Sequence, residues 1–420
     1  MSMTATPITP DLLRGALDHE HTSNGVVPHR LPEWARERLP DVQFAMAQAH
    51  PSGVRLMFRT AAAHIELTVL PTKRVYLGLP ARPDGAYDMV VNGEFRERAV
   101  AIGGDTIAID LSTGAEELRP GSPSTMTFEP GDMGVEKSIQ IWLPHNERVT
   151  LIELATDAPV EPDPAPSKPW LHYGSSISQG SNASGPSETF PALAASTLGL
   201  DLVNLGFAGS ALLDPFVARV VRDTAADLIS LEIGINLVNT DAMNLRAFVP
   251  AVEGFLDTIR DGHPTTPVIV VSPLYCAIHE NTPGPGAFDP VALAVGEVRF
   301  IATGQPAAGK LTLSVVRSVL AEVVRRRSTT DPNLYYLDGL DLYGEDDFAE
   351  LPLPDGLHPD AESHLRIGTR FGAAISAILP SESREGIDAD LLNRFELRQS
   401  RQRAFGSSDN AHPSGRTNFP

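Results

Sequence analysis

Residues Glu161-Pro162-Asp163-Pro164-Ala165-Pro166-Ser167-Lys168-Pro169 divide the chain into two stretches with different hydrophobic periods. Proline fixes φ and lacks a backbone N–H, so this run reads as a stiff, extended linker. Before it, apolar residues recur at every second position: Val54, Leu56 and Phe58; Ile65, Leu67 and Val69; Ile139, Ile141 and Leu143. A period of two gives strands with one buried and one wet face. Asn92-Gly93, between Tyr87–Val91 and Phe95, is a hairpin turn signal, and Gly103-Gly104-Asp105 is another. These features predict an all-β sandwich of jelly-roll type.

After the linker the pattern changes. Apolar runs at Trp170–Tyr173, Leu202–Leu205, Leu228–Ile233, Val268–Val271 and Leu334–Leu337 alternate with helix-like stretches. Those stretches are Phe190–Leu198, Pro215–Asp223, Leu245–Asp261 and Leu313–Arg327, with a further one at Glu362–Leu379. Continuous apolar strands separated by helices predict a parallel sheet covered on both faces, a three-layer α/β/α domain. The expected organisation is a leader segment at 1–30, the sandwich at 31–160, the linker at 161–169, the α/β domain at 170–380 and a polar tail at 381–420. The tail holds a short amphipathic stretch, Leu391–Leu397, and is expected to be disordered from Gly406 to Pro420.

Composition narrows the function. The 420 residues carry 33 Lys and Arg against 53 Asp and Glu, a formal charge of −20. Phosphate backbones are repelled by such a chain, so no nucleic-acid partner is expected. The lone cysteine, Cys276, allows no intrachain disulfide and no Cys-based zinc site. Met1–Asn24 has no apolar core of a secretory signal, and no long uncharged apolar run exists. No membrane partner is expected, and a cytoplasmic location is the default.

Two short motifs carry chemistry. Gly174-Ser175-Ser176-Ile177-Ser178-Gln179-Gly180 follows the first apolar run, and Asp355-Gly356-Leu357-His358-Pro359 precedes the last helix. They offer Ser176 as nucleophile, His358 as base and Asp355 to orient the base. Serine attacks a carbonyl only when an imidazole takes its proton and a third group fixes that imidazole. Each motif also has a plain reading: Ser176 as a polar turn residue, Asp355 as a turn cap with His358 on the surface. Acyl transfer further needs donors for an oxyanion. Asn204–Ser210 follows the second run with Gly209, and Gly234-Ile235-Asn236 follows the third. Position 178 is serine, so the Gly-x-Ser-x-Gly elbow of α/β-hydrolases is absent.

This ordered set resembles the SGNH hydrolase (GDSL esterase/lipase) family. The resemblance covers about residues 170–380 and implies a flavodoxin-like fold. It implies Ser176 as nucleophile and oxyanion donor, Gly209 and Asn236 as the other oxyanion donors, and Asp355 and His358 as orienter and base. Two positions depart from the family pattern: Ser175 and Leu237 stand where aspartates are usual. The β-rich front resembles a two-domain branch of that family, which includes carbohydrate esterases and a polyketide-tailoring acyltransferase. The resemblance implies a short acyl ester of a sugar or similar polar alcohol as substrate, with no metal and no organic cofactor. An acyltransferase using the same residues is the alternative, and a carbohydrate-binding module on a degenerate scaffold is a third reading. The oligomeric state is not specified.

Other motifs yield to plainer readings. Gly304–Lys310 nearly spells a phosphate-binding loop, but Leu311 stands where Ser or Thr would hold Mg²⁺. His358, Glu362 and His364 match no zinc spacing, and His364 is expected to face solvent or pack. Cys276 is expected as a buried structural thiol. Tyr275 is a candidate substrate-cleft residue beyond the fourth run, and Ile278–Lys310, rich in Gly and Pro, is a candidate lid.

Overall fold

The computed structural model describes residues 3–110, 113–164 and 168–378. The stretches expected as tail, including Leu391–Leu397, lie outside the described residues.

Five strands form a parallel sheet in the order Asp201–Gly206, Pro169–Gly174, Leu228–Glu232, Val268–Val271, Leu334–Leu337. Most of their side chains are buried because both sheet faces are covered, while the edge strand Leu334–Leu337 is half-buried after Leu334. On one face Trp170 and His172 meet Phe190 and Phe371, from the helices Phe190–Leu198 and Ala361–Ile378. On the other, Tyr173 meets Phe255 of the helix Leu245–Gly262. Strand order reverses at Pro169–Gly174, and a crevice forms beyond the carboxyl ends of strands at such a switch point.

Two further sheets, of eight and six strands, form the sandwich. The eight-stranded sheet is built around Ile65–Tyr76 and Arg148–Thr156, which pair antiparallel. The six-stranded sheet centres on Arg55–Thr60 and Lys137–Trp142. The period of two is visible in the packing: Ile65, Leu67 and Val69 are each fully buried, alongside Phe58, Ile139 and Ile141.

Two expectations change here. Residues 1–30 supply strands rather than a leader. Thr4–Thr6 pairs with Arg148–Thr156, Leu13–Arg14 with Arg55–Thr60, and Asp18–Thr22 forms a hairpin with Gly25–His29. Asp18–Thr22 sits at a sheet edge, where a polar sequence such as Asp-His-Glu-His-Thr gains backbone pairing without needing two apolar faces. The start of the proline-rich run also pairs, as Val160–Pro162 against Arg55–Thr60. Proline is tolerated there because the strand lies at a sheet edge.

The two β-rich and α/β parts share side chains. Leu31, Ala35, Phe44 and Ala47 belong to the core of the parallel sheet, not to the core between the sandwich sheets. Arg30, fully buried, donates to the carbonyls of Asn204, Gly206 and Ala47. Among the described residues no carboxylate contacts it, and burial pushes its guanidinium down to about 9. Among the described residues no helix is long and apolar enough to cross a membrane.

Candidate active site

Ser176 opens the short helix Ser176–Gln179, directly after the strand Pro169–Gly174. Ser175 caps that helix, its Oγ accepting from the Ile177 N–H at 3.2 Å. His358 and Asp355 lie on the loop before the helix Ala361–Ile378. The structure brings the three together. The Ser176 hydroxyl lies 3.0 Å from His358 Nε2, and His358 Nδ1 lies 2.7 Å from Asp355 Oδ2. Asp355 is a pure acceptor when ionised, so it sets the proton on Nδ1 and leaves Nε2 to accept from Ser176.

Asp355 is itself held. Its Oδ1 accepts from the Leu357 and His358 N–H groups at 2.9 and 2.7 Å, and Asn182 Nδ2 donates to Oδ2 at 3.3 Å. Burial works against its ionisation. The hydrogen bonds from the His358 ring and the two backbone amides outweigh burial and hold the carboxyl at about 2. The turn-capping reading and the orienting reading of Asp355 are therefore both satisfied, by its two oxygens separately.

The two oxyanion candidates close on the same crevice. Gly209 adopts φ +72, a left-handed conformation that glycine takes without strain, in the loop after Asp201–Gly206. Asn236 sits in the helix Ile235–Asn239 after the strand Leu228–Glu232. Its Oδ1 accepts from the Ala211 N–H at 3.1 Å, which fixes the amide and turns its NH₂ away from that contact. Ser176, Gly209 and Asn236 thus follow three adjacent parallel strands.

Several residues of this region escaped the sequence reading. Glu232 lies beneath the Ser176 turn, its Oε2 accepting from the Ser175 N–H at 2.7 Å and the Ser178 hydroxyl at 3.2 Å. Burial pushes its carboxyl up, and no cation contacts it. Its signal was a charge inside the apolar run Leu228–Ile233. His172 joins Ser178 Oγ and Ser230 Oγ at 2.8 and 2.7 Å, and burial pushes its imidazole down to about 3, so it is neutral. Gln179 ties the turn to the sandwich. Its Nε2 donates to the His145 carbonyl and to His50 Nδ1, while its Oε1 accepts from the Ala208 N–H beside Gly209.

The decoys resolve too. Burial pushes the Cys276 thiol up to about 12, and its Sγ donates to the Gly356 carbonyl at 3.4 Å. It is chemically inert at neutral pH. His364 is fully buried rather than solvent-facing. Its Nε2 donates to the Ser181 carbonyl and its Nδ1 accepts from the Phe190 N–H, so neither nitrogen is left for a metal. Lys310 of the P-loop-like segment pairs with Asp241. Within the expected lid, Gly286–Phe288 and Phe300–Ala302 form a small hairpin. Phe300 meets the His358 ring edge-on at 5.5 Å, and its N–H donates to the Asp355 carbonyl. The Tyr275 hydroxyl donates to Glu345 Oε1 at 3.4 Å and its ring rests on Phe348.

Residues 167–279 match the model of the GDSL-like lipase/acylhydrolase family. Over that stretch the chain is similar to GDSL-like lipases and acylhydrolases. No curated protein sequence matches the chain. Among solved structures, the salicylyl-acyltransferase SsfX3 from a tetracycline biosynthetic pathway is 27% identical, with a TM-score of 0.73 over 90% of this chain and 98% of that one. A candidate GDSL-like lipase from Bacteroides ovatus ATCC 8483 is 21% identical, with a TM-score of 0.65 over the same shares. A family two carbohydrate esterase from Cellvibrio japonicus is 12% identical, with a TM-score of 0.54 over 90% and 98%. The last two show the fold alone. Because the matches run over nine-tenths of the chain, the β-rich part before the GDSL-like domain is common to these structures. The family match and the likeness to the salicylyl-acyltransferase support a hydrolytic or acyl-transferring enzyme.

Proposed function

We propose that the protein is a serine-dependent ester hydrolase that removes a short acyl group from a sugar or another polar alcohol. The observation that carries this is the chain of contacts from Ser176 Oγ to His358 Nε2 (3.0 Å) and from His358 Nδ1 to Asp355 Oδ2 (2.7 Å). His358 takes the Ser176 proton as Oγ attacks the ester carbonyl. The Ser176 N–H, the Gly209 N–H and the Asn236 side-chain NH₂ hold the tetrahedral oxyanion. Collapse breaks the C–O bond to the alcohol, which leaves with the proton from His358. His358 then deprotonates a water that attacks the acyl-enzyme, releasing the acid and restoring Ser176.

An apolar cavity supports the short acyl group. It is a small recess lined by Ile177, Ile235, Tyr275, Leu353 and Leu357, the sequence neighbours of Ser176, Asn236 and His358 among them. Its place in this lining supports Tyr275 as a cleft residue. The sugar or polar alcohol rests on the family resemblance.

A second reading, acyl transfer to an alcohol other than water, is favoured by the likeness to the salicylyl-acyltransferase, 27% identical over 90% of the chain. The Phe288–Phe300 aromatic pair, 5.0 Å apart beside His358, would help exclude water. The test is a panel of p-nitrophenyl esters from acetate to decanoate, with and without millimolar alcohol acceptors. Hydrolysis that peaks at short chains and disappears in Ser176→Ala is expected. Hydrolysis retained by Ser176→Ala would overturn the mechanism, and transfer product exceeding acid would select the second reading.

A further inference from the structure

A second cavity opens in the sandwich, away from Ser176. It measures about 90 Å³ and lies where the end of Ile65–Tyr76 meets the loop at 81–84 and the turn at 146–147. Lys73, Arg74 and Arg82 line it, in a chain whose formal charge is −20. Lys73 is paired with Asp84 at 2.6 Å, Arg74 reaches Glu116 only at 3.4 Å, and Arg82 makes no ion pair among the described residues. Cations drawn together in an acidic protein, one of them unpaired, offer a place for an anion.

The same wall holds acceptors with no donor. Glu147 is 3% exposed, and although the Gly85 backbone favours its ionised carboxyl, its Oε1 has no hydrogen-bond partner among the described residues, nor has Oδ1 of Asn146. Burial pushes the Glu147 carboxyl up to about 7. Buried acceptors left without donors are rare and costly. Hydroxyl donors would satisfy them, whereas a bare anion would not. His50, whose Nδ1 is engaged by Gln179, also lines the cavity.

We propose that this cavity binds a small polyhydroxylated anion, a sugar acid or sugar phosphate, with its charge on Arg82 and Arg74 and its hydroxyls on Glu147 and Asn146. One helix links the site to the crevice. Met46 and His50 line the cavity from the helix Val42–Ala49 and its C-cap. Gln43, on the same helical face, donates to the Ala208 carbonyl at 2.8 Å, next to Gly209.

The site does not depend on the acyl-transfer reading, so binding is measured by calorimetry on full-length Ser176→Ala protein, which cannot turn over. The probes are glucuronate, glucose 6-phosphate, glucose and inorganic phosphate. We expect one-to-one binding of glucuronate or glucose 6-phosphate, whichever binds identifying the anion, and at least about tenfold weaker binding in the added Arg82→Ala change. Arg82 is exposed on a loop, so that variant folds, and an unchanged melting curve verifies it. Glu147→Gln, close in shape, should weaken the sugar anions but not inorganic phosphate. The inference is overturned if neither sugar anion binds at about 10 mM, if glucose or inorganic phosphate binds as tightly as its charged or hydroxylated counterpart, or if Arg82→Ala leaves binding unchanged.

Discussion

Asp355→Asn isolates the orienting role from the rest of the proposed machinery. Oδ1 of Asp355 serves two backbone N–H groups, so the asparagine oxygen must take that place. The new NH₂ then faces His358 Nδ1, 2.7 Å away in the wild type. Two donors cannot face each other, so the ring proton moves to Nε2 and points at Ser176 Oγ. A protonated Nε2 cannot accept the serine proton. The expected loss in kcat is about 10⁴, a barrier rise of about 5 kcal/mol. Stability changes less. The Asp355 carboxyl is held at about 2 instead of its usual 3.8, equivalent to about 2 kcal/mol at neutral pH. Because the folded value is depressed, that contribution is present above about pH 4 and fades as pH falls toward 2. Wild type and variant should therefore differ in urea midpoint at pH 7 and converge near pH 2. The assay is steady-state hydrolysis of a short p-nitrophenyl ester, paired with those unfolding curves. A folded variant whose kcat stays within about tenfold of wild type would refute the reasoning.

Other substitutions probe the surroundings. In Gly174→Ala the new Cβ would lie 2.1 Å from Ser178 Oγ and 2.8 Å from Glu232 Oε2, so we expect a stability loss of about 2 kcal/mol with impaired turnover, read by melting and kcat. Cys276→Ala should keep kcat within about twofold and cost about 1 kcal/mol, and iodoacetamide at pH 8 should leave the wild type active, since the thiol sits at about 12. Glu147 is raised from 4.5 to about 7, so its ionisation destabilises the fold increasingly as pH rises across that window. Glu147→Gln should be more stable than wild type at pH 8, by about 3 kcal/mol, and equal to it near pH 4; a wild type that is the more stable at pH 8 would contradict this.

The α/β part was legible because its strands are buried on both faces. Val268–Val271 and Leu334–Leu337 appear in the sequence as the apolar runs they form in the sheet, and the amphipathic helix Leu313–Arg327 has the expected bounds. Ser176, His358 and Asp355 were readable because their spacing in the chain places them on loops at one end of such strands. The edge strands were not. Glu116–Arg119 is exposed throughout, and Asp18–Thr22 is polar, so neither carries a period; backbone pairing alone makes them strands. Nor could a one-dimensional pattern show contacts between distant segments. Arg30 and Asn204 are 174 positions apart, and nothing around Arg30 marks it as a residue that would be buried without a counter-charge. Glu232 was visible as a charge in an apolar run, but only the fold shows that it lies under the Ser176 turn.

The Arg30 contact bears on how such proteins can be recombined. A guanidinium from the first thirty residues closes on the carbonyls of Asn204 and Gly206, and Ser52 Oγ accepts from Asn204 Nδ2 and donates to the Gln179 carbonyl. A chimera joined at the proline-rich run would set a foreign front part against these partners, leaving a buried cation without carbonyls or carbonyls without a cation. The heritable unit is therefore the front part together with the turns at 176–180 and 204–209. Crossovers that respect the linker but divide that unit are expected to yield insoluble or inactive chains.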